Sequence, residues 1–156
     1  MRTTTLLLLA VLSVSTVRSV SAQGALTQAQ RDAILGYSLT LDRANHLITA
    51  MSGISRYLVS QPDYKERLAQ SAKLTAAEQA DRMEKDPKIS AILKENNLTA
   101  RDYIVGVPTL RMALLAAQGV NSPNIVASPA NVTFAKANLT QLKPKMDSAD
   151  SLGRGK

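Results

Sequence analysis

The chain has 156 residues, a net charge of +7, a single histidine and no cysteine. Without cysteine no disulfide can staple the fold, and a zinc or copper site built from several N/S ligands cannot form. One Phe, four Tyr and no Trp leave no basic-aromatic interleaving, so no nucleic-acid partner is expected.

Residues 1–22 read as an export signal. Arg2 supplies the positive start, Leu6 to Val14 the short apolar run, and Val20-Ser21-Ala22 the small-residue cleavage site. Losing Arg2 and Arg18 takes the net charge from +7 to +5. The 134 residues that follow suit one domain with one core. A light N-terminal helix region (23–39), a helical-bundle domain (40–149) and a disordered basic tail (150–156) are expected.

Thr27-Gln28-Ala29-Gln30 has the spacing of a capping box, and Gly36 is positioned to end a short helix. Thr40 caps a longer one running to about Gln61. Leu41, Ala44, Leu47, Ile48, Met51, Ile54 and Leu58 recur along it at three- and four-residue spacing, which predicts one buried stripe. Pro62 marks a boundary. From Tyr64 to Leu74 apolar positions thin out, and Thr75-Ala76-Ala77-Glu78 opens a polar helix to about Lys85 with Ala76, Ala80 and Met83 facing inward. Asp86-Pro87 starts another, with Asp as cap and Pro in the first turn, and Asn96-Asn97 end it.

The most apolar stretch beyond the leader is about Ala100–Gln118. Thr99 and Asp102 cap it, and Gly119 stands where a left-handed residue is needed. Apolar residues cover nearly its whole circumference, as in a core helix, and the apolar part is shorter than the roughly 20 residues of a membrane span. No transmembrane segment is expected after removal of the leader. Pro108 cannot donate to the carbonyl of Ile104, so a kink or break is expected there. After a loop, Ser128-Pro129 starts the last helix, with Val132, Ala135, Leu139 and Leu142 inward and Pro144 loosening its end. No period-two alternation competes. The expected fold is an all-α bundle of five to seven helices around the central apolar one.

His46 is the only imidazole, no G-x-S-x-G elbow exists, and neither an EF-hand loop nor a phosphate-cradling glycine loop is present. No cofactor is expected. Arg111 lies in the most apolar helix, where an unpaired charge is costly. Either its stem packs while its head reaches solvent or a carboxylate on another helix, or it lines an anion pocket beside Pro108. With Tyr103 and Pro108 it forms the candidate ligand site. Sequons at Asn97, Asn131 and Asn138 are read as chance. Lys136, Lys143, Lys145, Arg154 and Lys156 leave the last 21 residues at +3 against Asp147 and Asp150, suiting weak contact with anionic envelope components.

The order KDPKISAILKENNLTARDYIV, an apolar helix, then SPANVTFAKANLTQL resembles a family of small exported bacterial all-helical proteins without an assigned activity. The resemblance covers about Lys85 to Leu142 and departs from the family at Pro108 and Arg111. It implies the fold class and an envelope location, and no mechanism. The first functional expectation is a non-enzymatic binding or envelope-associated module, periplasmic or extracellular. The second is a small-molecule or anion carrier with its pocket near Pro108 and Arg111, and the third a carboxylate-dependent hydrolase.

Overall fold

Helix starts follow the hydroxyl and carboxylate caps written into the chain. In the computed structural model, which describes residues 26–153, Thr27, Thr75 and Thr99 each form a reciprocal capping box with the residue three positions on. Thr40, Asp86 and Ser128 accept from first-turn amides, satisfying donors that have no partner inside a helix. Seven helices and no strand result among the described residues: α1 (Gln28–Gly36), α2 (Leu41–Val59), α3 (Tyr64–Ser71), α4 (Ala76–Lys85), α5 (Pro87–Glu95), α6 (Ala100–Ala117) and α7 (Pro129–Leu152). The leader reading at 1–22 and the last three residues of the expected tail lie outside the described residues.

The α6 helix is the hub of the bundle. It packs against α7, α2, α4, α1 and α5. Leu110 and Ala113 have no exposed surface, and with Leu47 and Ala44 of α2 and Leu142 and Ala135 of α7 they form the centre of the main core. A smaller cluster of Ile34, Met112 and Val126, flanked by Leu26 and Ile125, fastens α1 and the loop before α7 to α6. The α3 helix buries no residue and leaves Leu68 largely exposed. Polar contacts tie it down instead: the Tyr64 hydroxyl donates to the Gly153 carbonyl, and Arg67 lies 2.8 Å from Asp63 and 3.6 Å from Asp86. Gly119 adopts φ 80° beyond α6, and Asn97 is left-handed at φ 52° after α5, as the ends expected there require. No helix among the described residues is long and apolar enough to cross a membrane.

The α6 helix runs unbroken through Pro108. Pro108 is flanked by buried Val107 and Thr109, so packing on both sides holds the turn together. The fully buried Thr109 hydroxyl donates to the Val105 carbonyl at 2.7 Å and so finds its partner within the same turn. Pro108→Ala restores the missing donor to Ile104. It is expected to stabilise the protein by about 1–2 kcal/mol, read from the urea midpoint at constant m.

At the C-terminus the expected boundary moves. Pro144 does not loosen α7, and residues 150–152 belong to the helix rather than to a disordered tail. Met146 (4 % exposed) and Ala149 (1 %) lie on the inward face of its last turns, and their burial offsets the cost of continuing it. Pro144 and Thr140, whose carbonyl loses its usual donor, are both on the exposed face, where water can serve that carbonyl.

Candidate functional site

Tyr37 sits in the extended link between α1 and α2, at φ −80° and ψ 124°. A strand-like segment outside a sheet leaves its backbone groups seeking partners. Asn131, in the first turn of α7 and 3 % exposed, supplies them: its amide donates to the Tyr37 carbonyl at 2.7 Å and its oxygen accepts from Leu39 N–H at 3.1 Å. One side chain therefore pins the link to a helix more than ninety residues away in sequence. The Arg43 guanidinium lies over the Tyr37 ring, 5.3 Å from its centroid, within cation–π range.

The ring lies across α6 where Gly106 leaves room. A Cβ at Gly106 would fall 2.7 Å from the Tyr37 hydroxyl and 2.8 Å from a Leu47 methyl. The hydroxyl is buried and has no hydrogen-bond partner among the described residues. Burial pushes the phenol above the usual tyrosine range, Arg43 opposes the rise and Asp102 adds to it.

In front of Tyr37 is an open cleft of about 350 Å³, lined by Ala33 and Gly36 of α1, by Tyr37, and by Thr99, Arg101, Asp102 and Val105 at the start of α6. Its size is at the lower end for small-molecule sites. The carboxylate of Asp102 is turned toward Thr99, accepting from its hydroxyl at 2.7 Å and its amide at 3.2 Å through Oδ2. Neither Arg101 nor Arg43 has a carboxylate within ion-pair distance among the described residues.

The three residues singled out from sequence lie elsewhere. Nine positions beyond Asp102, about 13 Å along the helix axis, Arg111 holds Asp150 of α7 at 2.5 Å. The guanidinium thus reaches a carboxylate on another helix, in keeping with a packed stem and a paired head. Its Nε is buried with no partner among the described residues. Tyr103 packs at the edge of the main core. Burial raises its phenol above the usual tyrosine range, against the lowering effect of Arg111 and with a smaller upward push from Asp150. Tyr103, Arg111 and Asp150 therefore share one neighbourhood between α6 and α7. Pro108 is partly exposed and is not part of the cleft wall.

Two outcomes follow at this joint. Asp150→Asn keeps the shape but leaves Arg111 without its counter-charge. With side chains 32 % and 17 % exposed, the pair is intermediate between a surface and a buried bridge, so a loss of about 1–2 kcal/mol is expected by chemical denaturation at pH 7. The second concerns alkaline pH. The raised phenol of Tyr103 holds its proton more tightly folded than unfolded, so its contribution is complete below about pH 10 and is lost as pH rises above it. Tyr103→Phe is expected to flatten that decline relative to wild type in stability measured from about pH 8 to 11.

Of the cleft residues, the sequence marks Gly36, Thr99 and Asp102 as helix ends and none as part of a ligand site. Tyr37 and Gly106 carry no motif. Asn131 stands in the sequence as a sequon and within the SPANVTF stretch, neither of which marks a packing role, and its buried, doubly bonded amide has no room for a glycan. Asn138 likewise points into its own helix, donating to the Phe134 carbonyl at 2.8 Å. His46 rests on the surface of α2, 3.6 Å from Asp42. Among the described residues, no group of three or more His, Asp or Glu side chains is placed to hold a metal ion. Comparison of the chain with protein-family models, with curated proteins and with solved structures finds no match.

Proposed function

We propose that this chain is an exported helical protein of the bacterial periplasm or exterior that acts by binding rather than by catalysis. The observation that carries the proposal is the cleft at the junction of α1 and α6, with Arg101, Asp102 and Tyr37 in its wall. It offers charge, an aromatic ring and apolar surface at one opening, the mixture by which a small ligand is oriented. The export half rests on the Arg2, Leu6–Val14 and Val20-Ser21-Ala22 pattern. Protein recovered from the host's own envelope and examined by native mass spectrometry is expected to carry a small adduct. That adduct should raise the melting temperature when added back, since a ligand at about 100 times its Kd stabilises the native state by about 2.7 kcal/mol. Hydrolytic turnover by the purified protein, abolished by replacing one polar residue, would overturn the reading.

A second reading, an anion carrier at Arg111, is favoured by the unpartnered Nε of that residue and opposed by the grip of Asp150 on its Nη2. It requires Asp150→Asn to strengthen binding of a simple anion such as acetate. No gain in affinity would remove it.

A further inference from the structure

The cleft has two opposite charges in its wall that do not neutralise each other. Arg101 and Asp102 are consecutive on α6, so their side chains leave the helix about 100° apart and cannot pair face to face. Neither finds a partner of opposite charge elsewhere among the described residues. Asp102 commits one oxygen to Thr99 through two hydrogen bonds. Its other oxygen accepts nothing among the described residues, and the guanidinium of Arg101 donates to nothing there. Ala33, Gly36 and Val105 add apolar surface to the same opening, beside Tyr37, whose hydroxyl is turned away into the α6 contact at Gly106.

A lone anion would meet Arg101 but also face the carboxylate of Asp102. A lone cation would meet Asp102 but face Arg101. Only a molecule carrying both charges close together satisfies each group without repelling the other. Resting on the reading of the cleft as a ligand seat, we infer that its occupant is a small zwitterion of the α-amino-acid class with an apolar side chain. Its carboxylate is held by the guanidinium of Arg101, where a planar fork matches two carboxylate oxygens. Its ammonium is held by the unengaged oxygen of Asp102, and its side chain lies against Ala33 and Val105.

The test is isothermal titration of the full mature protein with L-leucine and L-phenylalanine, set against the half-molecules 4-methylpentanoate and isopentylamine. The zwitterions are expected to bind at least about tenfold more tightly than either half, because each half forfeits one charge-assisted contact. Arg101→Gln and Asp102→Asn are each expected to lower zwitterion affinity by at least about tenfold. Arg101 is exposed and Asn retains an oxygen for Thr99, so both variants should keep their circular dichroism. Gly36→Leu is a further variant on the cleft wall: a Cβ there meets nothing within 4 Å, so the fold tolerates the side chain, and lower zwitterion affinity is expected. In amide NMR spectra of the wild type, shifts on adding L-leucine should concentrate at 33–37 and 99–105. Equal binding of 4-methylpentanoate and L-leucine would overturn the inference. So would failure of all four probes beside a native-mass adduct of another class, and that outcome would leave the binding function standing. Absence of both probe binding and any adduct would end both.

Discussion

Replacing Gly106 by alanine is expected to destabilise the protein by about 1–3 kcal/mol, although alanine is the better helix former by about 1 kcal/mol. The new methyl has nowhere to go. It would lie 2.7 Å from the Tyr37 hydroxyl and 2.8 and 2.9 Å from the two Leu47 methyls, separations that force something to shift. Leu47 cannot retreat, being wholly buried between α2 and α6. Asn131 fixes the backbone of Tyr37, so the ring can give way only by turning about its own side-chain bonds, out of its contact with Arg43. Removing the hydroxyl opens one side of the site, so Gly106→Ala is expected to cost less in a Tyr37→Phe background than in the wild type. The two changes touch the same atoms, and a double-mutant cycle should show coupling of about 0.5 kcal/mol or more. Gly36→Ala is the control. It too adds a methyl to a helical glycine, yet meets nothing within 4 Å, so it should be neutral or stabilising by up to about 1 kcal/mol. Urea unfolding of the four proteins and the control decides the matter. A Gly106→Ala protein as stable as wild type would mean that Tyr37 does not lie across α6 as described.

Much of the bundle was legible because its information is local. A capping box needs only four consecutive residues, and Thr27, Thr75 and Thr99 each announced their helix without reference to the rest of the fold. The stripe on α2 is readable for the same reason: Ala44, Leu47, Ile48, Met51 and Ile54 fall on one face by arithmetic alone and are buried. The end members of the expected stripe fall short, Leu41 being 38 % exposed and Leu58 only partly buried. Misplacement came where a tertiary contact outweighed a local rule. Pro144 is a helix breaker by local chemistry. Here the inward residues Met146 and Ala149, together with the Arg111–Asp150 bridge, hold the helix to Leu152. The cleft was illegible for a related reason. Tyr37, Gly106 and Asn131 lie far apart in the chain, none belongs to a recognisable spacing, and their association exists only after α1, α6 and α7 have packed. Arg111 drew attention as a charge in an apolar helix, which is a sound signal of a partner. It cannot tell whether that partner is a ligand or, as found, Asp150.

Asn131→Asp is expected to destabilise the protein at pH 7 and to do so less as the pH falls, the reverse of the trend for an ordinary surface carboxylate. The wild-type amide both donates to the Tyr37 carbonyl at 2.7 Å and accepts from Leu39 N–H at 3.1 Å while almost completely buried. An ionised carboxylate retains the second bond only. It turns a lone pair toward the Tyr37 carbonyl oxygen, leaving that acceptor unpaired, and carries a charge into a site with little water. A buried unpaired polar group costs about 1–3 kcal/mol and a buried charge more, so a loss of about 3 kcal/mol at neutral pH is expected. Burial disfavours the charged form and raises the pKa of the introduced carboxyl group above its unfolded value. A group whose folded pKa is raised stabilises the fold relative to its own ionised form once protonated, so the deficit against wild type shrinks as pH drops toward about 4. The protonated acid again has one donor and one acceptor and can reproduce both bonds. Asn131→Leu removes donor and acceptor together and should show a loss of about 2–4 kcal/mol that does not change with pH. Stability differences from wild type, measured by urea unfolding between about pH 4 and 8, separate these cases. Parallel pH profiles for the Asp and Leu variants would show that the amide of residue 131 is not what closes the α1–α2 link onto α7, and the cleft in front of Tyr37 would lose its frame.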